Sequence, residues 1–316
     1  MNNQVRIGTR GSVLAVTQAE QVAAALRRKY SDLAPVLVKI KTSGDKFVHI
    51  PLSRVGGKGL FMKEIEEALQ DDQVDLAVHS MKDVPTEIAA GLTIAAILER
   101  RDPSDALISR KGKRLNALPT GARIGTSSLR RQAQILNYRP DLTVVPLRGN
   151  LDTRLRKLNI EALDAVVVAA AGVYRLGRQD EITEILPAEV SLPAVGQGAL
   201  GLEVREEDRK ILDLVTPLNH RPSALTVAAE RAFLARLGGG CQVPIAAYGQ
   251  LDGDQIHLTA LVSMPDGTEI VRGDRQGPSA HGEEIGTALA EELLGRGADR
   301  ILEELSRAEI TPPASP

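Results

Sequence analysis

Aromatic side chains are nearly missing from this chain of 316 residues: with no Trp, four Tyr and three Phe, they make up 2%. That leaves no platform on which single-stranded bases could stack, so no nucleic-acid partner is expected, and the cores must be aliphatic. Cysteine occurs once, at Cys241, which excludes an internal disulfide. The five His show no metal-ligand spacing, so no metal is expected. The longest apolar run, from Ala165 to Val173, falls far short of the roughly 20 residues that a membrane-spanning helix needs. The polar start Met1-Asn2-Asn3-Gln4 lacks the apolar core of a signal peptide, and together these features set the expectation of a cytoplasmic protein with no membrane partner. An excess of either charge is missing as well, 39 Lys and Arg standing against 41 Asp and Glu, so an anion site has to come from local clustering of arginines.

What is present is a regular alternation. Short runs rich in Val, Ile and Leu alternate with amphipathic stretches from residue 4 to about 215, the pattern of α/β layers. Strands are expected at 5–9, 36–41, 75–79, 93–98, 123–125, 142–146, 165–170 and 199–205. Helices are expected at 12–29 (capped by Ser12), 59–69, 128–137 and 150–159. After Pro217 the style changes: a helix over 223–237, three antiparallel strands at 245–250, 255–263 and 268–272 turned at Asp252-Gly253 and Asp266-Gly267, then a helix over about 280–305. The fold class expected is therefore α/β with a smaller C-terminal α+β domain, and the tail 311–316 should be disordered.

Cys241 stands in that last domain behind Gly238-Gly239-Gly240 and three residues before Pro244. Glycines at such density mark a backbone that something approaches closely, so the thiol reads as an attachment point or a nucleophile. The stretch 45–58 is long, polar and weakly patterned, as in a lid; its Gly57-Lys58-Gly59 lacks the hydroxyl residue and the earlier glycine of a phosphate loop.

Cations recur at strand ends. Thr126, Ser127 and Ser128 separate a strand from a helix whose first turn carries Arg130 and Arg131, a setting in which an anion meets free N–H groups, hydroxyls and guanidinium charge together. A serine cap followed by two solvated arginines would read the same way. Arg10, Arg148, Arg154 and Arg175 lie in comparable places, and strand ends of open α/β sheets converge on a crevice. His79-Ser80-Met81-Lys82-Asp83 follows the most apolar strand. Lys82 adds to the cations there, while Asp83 would be the rare carboxylate, suited to a developing cation or a proton. The ligand implied carries several carboxylates or phosphates.

The segments VGGKGLF, AVHSMKDVP, GTSSLRRQ, LRGN, LPAVGQGALG and GGGCQVP, in this order and spacing, resemble the porphobilinogen deaminase family from Arg6 to about Leu305. The resemblance implies an enzyme that joins porphobilinogen units into the linear tetrapyrrole hydroxymethylbilane, releasing ammonia at each addition. It implies a dipyrromethane cofactor, built from two substrate units and held by a thioether to Cys241, which is then an anchor and not a turnover nucleophile. Asp83 matches the catalytic aspartate, which contacts pyrrole N–H groups and stabilises the cationic azafulvene. Lys82, Arg130, Arg131 and Arg154 match residues that bind cofactor carboxylates, with Thr126 and Ser128 as nearby donors. Arg10, Ser12, Gln18, Arg148, Arg154 and Arg175 match positions around the incoming substrate, and Lys58 and Phe61 belong to the matching lid. Two α/β domains like those of periplasmic binding proteins, forming a cleft, are implied, with boundaries at 1–98 plus 197–216, 99–196 and 217–316, as is a monomer. Gly11, Val13, Thr17 and Val204 depart from many relatives, which touches the packing of the 10–18 turn and no charged site residue. The competing reading is a non-catalytic polycarboxylate-binding protein, which leaves Cys241 and Asp83 unexplained. A thiol hydrolase would need a His general base beside Cys241.

Overall fold

A computed structural model describes residues 3–43, 62–238 and 243–310. Lys58 and Phe61, expected in a lid, the cysteine Cys241 and the tail 311–316 lie outside them. The described residues form three sheets, two α/β layers and a small antiparallel one.

The first sheet has the order β2-β1-β3-β10-β4. Its strands are β1 (Gln4–Arg10), β2 (Ala34–Ile40), β3 (Leu76–Ser80), β4 (Leu92–Ile97) and, from far downstream, β10 (Leu200–Arg205). β1 pairs parallel with β2 and β3, whereas β10 runs antiparallel between β3 and β4. A buried pair reinforces that return, His79 Nε2 lying 2.8 Å from Glu203 Oε2. Helices α1 (Val13–Lys29) and α2 (Lys63–Gln70) flank this sheet. Ser12 caps α1 by accepting from the Ala15 N–H, and burial of Ala19, Val22, Ala23 and Leu26 seats the helix on the aliphatic core.

The second sheet repeats the plan, in the order β7-β6-β8-β5-β9. It consists of β5 (Asp105–Ser109), β6 (Arg123–Gly125), β7 (Thr143–Val145), β8 (Ala165–Ala169) and β9 (Glu184–Leu186). Its helices are α3 (Leu129–Tyr138), α4 (Leu151–Ile160) and α5 (Ala170–Arg175). Here too the fourth strand, β5, is antiparallel to its neighbours, and it follows directly from the first sheet's edge. Each layer thus takes one antiparallel strand from a crossover, through 98–104 in one direction and 187–199 in the other. Neither β5 nor β9 is expected from the sequence, nor are α5 and α6 (Arg209–Val215).

The third unit has β11 (Ile245–Asp252), β12 (Gln255–Ser263) and β13 (Ile270–Pro278), paired antiparallel in sequence order. It packs on α7 (Arg221–Arg236) and α8 (Gly282–Leu293), with Phe233 fully buried. The single helix expected over 280–305 is broken. A wide turn at Leu294–Ala298, where Gly297 takes φ 106, separates α8 from α9 (Asp299–Ile310). β13 runs well past the expected 272 because all nine of its residues find partners on β12.

Two neighbouring residues of α7 tie the third unit to the others. Glu230 pairs with Arg100 of the first crossover at 2.5 Å and accepts from the Gly196 N–H of the second at 2.7 Å. Arg231 donates to the carbonyls of Val84, Pro85 and Thr86, the residues just after Asp83.

Candidate active site

The parallel strands of both sheets end toward a shared cleft of about 720 Å³. Each strand end brings its residues: Arg10 after β1, Lys39 and Lys41 at the end of β2, Ser80, Lys82 and Asp83 at β3, Ser127 after β6, and Arg148 and Arg154 after β7. Val168 and Ala169 from β8 and Arg175 from α5 complete the wall. Among the described residues the lining holds eight cations (Arg10, Lys39, Lys41, Lys82, Arg131, Arg148, Arg154, Arg175) and one carboxylate, Asp83. Ser12, Gln18 and Gly198 line it too.

Local geometry shows how the sequence holds these groups. β3 ends in a single 3-10 turn, Met81–Asp83, with Met81 buried below and Asp83 exposed. The turn can sit that low because Gly196 faces it: a Cβ there would come within 2.8 Å of the Met81 Cβ, and its φ of +67 already suits glycine. Gly198, at φ +91, lies against the Arg101 carbonyl for the same reason, and its own carbonyl accepts from Arg175 Nη2 at 2.8 Å. The LPAVGQGALG segment is therefore part of the crossover and, through Gly198, part of the cleft lining. Gln18 donates to Ser80 Oγ at 3.0 Å, which fixes α1 against the end of β3.

Burial and mutual repulsion lower the pKa values of several cleft cations. Desolvation lowers the Lys82 ammonium to about 8, Asp83 working against the fall and Arg131 adding to it. Desolvation, then Arg131, brings Arg154 to about 10; desolvation, then Arg101, does the same to Arg175. The Arg175 Nε is buried without a partner. A site that crowds cations and leaves a guanidinium N–H unsatisfied fits a ligand with several carboxylates, and each carboxylate bound would raise the lowered pKa values of its neighbours.

Behind the wall lies a group the sequence did not reveal. Asp105, fully buried at the start of β5, accepts from Arg130 Nη1 at 2.7 Å, Arg131 Nη2 at 2.7 Å, Ser191 Oγ at 2.8 Å and Gln197 Nε2 at 2.9 Å. Burial alone would raise its pKa, but the two guanidiniums overcome it and hold the carboxyl well below the usual range. Arg130, expected to meet a cofactor carboxylate, spends its guanidinium on Asp105 and the Leu192 carbonyl and does not line the cleft. Thr126 is buried, its Oγ1 accepting from the Ser128 N–H, and Ser128 caps α3. Ser127 presents to the cleft instead. Arg131 remains a wall residue. The lysines at 39 and 41 were missed although the rule that places cations at strand ends applies to them as it does to Arg10.

Comparison with known proteins agrees with this arrangement. The family model described as "Porphobilinogen deaminase, dipyromethane cofactor binding domain" matches residues 5–213, and "Porphobilinogen deaminase, C-terminal domain" matches 224–295. The chain belongs to the porphobilinogen deaminase family. Proteins named porphobilinogen deaminase from Geobacter metallireducens and Geobacter sulfurreducens are 56% and 53% identical to it. These alignments cover 97% and 98% of this chain, and 96% and 97% of theirs. The one from Syntrophotalea carbinolica is 53% identical over 98% of each. Among solved structures, the methionine-binding protein MetQ is similar over 69% of this chain and 90% of its own, at 14% identity and a TM-score of 0.45. Membership of an enzyme family leaves the alternative of a non-catalytic binding protein without support. No group of three His, Cys, Asp or Glu able to hold a metal occurs among the described residues, nor any helix long and apolar enough to cross a membrane.

Proposed function

We propose that the cleft binds porphobilinogen and the growing oligopyrrole and carries out the family's condensation, with Asp83 as the catalytic carboxylate. The observation that carries this reading is one carboxylate among eight cleft cations, counted over the described residues, at the end of the strand that the family model places in its cofactor-binding domain. Each pyrrole brings an acetate and a propionate, so the cations match the substrate's anions. The pyrrole N–H groups and the cation formed from the substrate are left for Asp83.

The dipyrromethane, held through Cys241, supplies a primer with a free pyrrole α-carbon. Lys82, Arg131 and Arg154 are placed to hold its carboxylates, and Arg10, Ser12, Gln18, Arg148 and Arg175 to orient the arriving porphobilinogen. In each addition the substrate's aminomethyl C–N bond breaks and ammonia leaves. The bound primer would supply the α-carbon that takes up this methylene carbon, one proton being released in exchange. An Asp83 carboxylate oxygen accepts from the pyrrole N–H groups and offsets the positive charge that builds as the amine departs. The domains divide at 1–98 plus 197–216, 99–196 and 217–316, a partition supported by the strands each sheet contains. A cytoplasmic monomer is the working form. Incubated with porphobilinogen, the purified protein should release one ammonia per unit consumed and yield the linear tetrapyrrole; consumption without ammonia would refute the reaction.

A further inference from the structure

Lys39 and Lys41 differ from the other cleft cations in placement and in freedom. Lys39 is the penultimate residue of β2 and Lys41 the first beyond it; two apart in extended chain, they project to the same side. Both line the cleft and both are exposed. Neither takes part in an ion pair among the described residues. The inner guanidiniums, by contrast, are tied to the protein: Arg131 to Asp105, Arg154 to the Gly149 carbonyl at 2.9 Å, Arg175 to Gly198. Fixed forks suit one ring in one place. A chain that lengthens to a tetrapyrrole on a two-ring primer adds two carboxylates with every ring, so its acid groups come to outnumber the eight cleft cations among the described residues. Something must receive the later rings while letting them move.

We propose that Lys39 and Lys41 form an outer carboxylate subsite for the lengthening chain, separate from the arginines that hold the primer and the first incoming ring; this rests on the polymerising reading above. An ammonium on a flexible stem is a point charge that prescribes no geometry, so successive carboxylates can exchange on it. Being exposed, such contacts are weakened by salt more than those deep in the cleft.

The test compares wild type, the double variant Lys39→Gln/Lys41→Gln, and Lys111→Gln/Lys113→Gln, which removes the same charge from an exposed turn outside the cleft. Each cofactor-bearing protein receives limiting porphobilinogen at low and high salt, and intact mass reads the distribution of enzyme carrying successive added units. The double variant should load its cofactor and make the first addition with little change. Its later additions should slow about five- to tenfold, so species with two or three added rings accumulate. High salt should push wild type toward the same distribution, and the Lys111/Lys113 control should track wild type. A double variant indistinguishable from wild type overturns the subsite. So does equal slowing of every addition including the first, which would make the lysines steering charges only. Should wild type add no porphobilinogen at all, the polymerising reading fails and takes the subsite with it.

Discussion

Asp83→Asn should keep the fold and lower turnover by about 10²- to 10³-fold, the scale seen when a preorganised electrostatic group is removed from a reacting centre. The substitution preserves shape and one hydrogen-bond acceptor, so the loss reports the charge. Exposure of the side chain on its 3-10 turn means that little packing is at stake. Part of the effect will come through a neighbour. Asp83 holds the Lys82 pKa up, so without it that pKa falls below about 8 and Lys82 is less charged at neutral pH. Assaying the variant at lower pH, where Lys82 is protonated again, separates the two: recovery there belongs to Lys82, and the remaining deficit belongs to Asp83. Near-normal turnover by a clean preparation at neutral pH would remove Asp83 from the mechanism.

Arg131→Leu should yield a folded protein that fails to retain the cofactor. Four of the five N–H donors of Arg131 are committed to the protein, to Asp105 twice, Val167 O and Gln197 Oε1, leaving one on Nη1 for a ligand. The residue therefore offers a carboxylate a single directed hydrogen bond and a fixed positive charge. Removing one partner of a buried ion pair costs about 3–5 kcal/mol, but Asp105 keeps Arg130, Ser191 and Gln197, so the loss should fall toward the lower end. Intact mass would show the variant almost wholly without adduct. Arg131→Lys, which keeps charge without the fork, should load partly. A fully loaded Leu variant would contradict the assignment.

Local signals in the sequence carried most of the elements: Ser12 caps its helix as expected, the helices begun at Ser128 and Asn150 form there, and the β1, β3 and β8 runs are strands. What stayed hidden was non-local. β10 is read correctly as a strand, yet nothing in its residues says that it inserts between β3 and β4; that return was implied only by the family resemblance. β9 holds only two apolar residues and β5 begins with the charged Asp105, so neither offers the unbroken apolar run that marks β8. The same residue also bears on Arg130, whose contact with it no local signal in the sequence announces. Two adjacent arginines on a helix look equivalent in sequence, and both donate to the buried Asp105, but only Arg131 also reaches the cleft wall. Clustering at strand ends was a sound guide to Arg10, Arg148, Arg154 and Arg175, and applied evenly it would have found Lys39 and Lys41.

The measurement that bears most directly on the central claim is the intact mass of the purified protein, with proteolytic mapping of any adduct and Cys241→Ser measured alongside. The account predicts an added mass equal to two linked pyrrole units on Cys241 in the wild type and none in the variant. A wild-type chain that carries no adduct, and gains none on incubation with porphobilinogen, would contradict it.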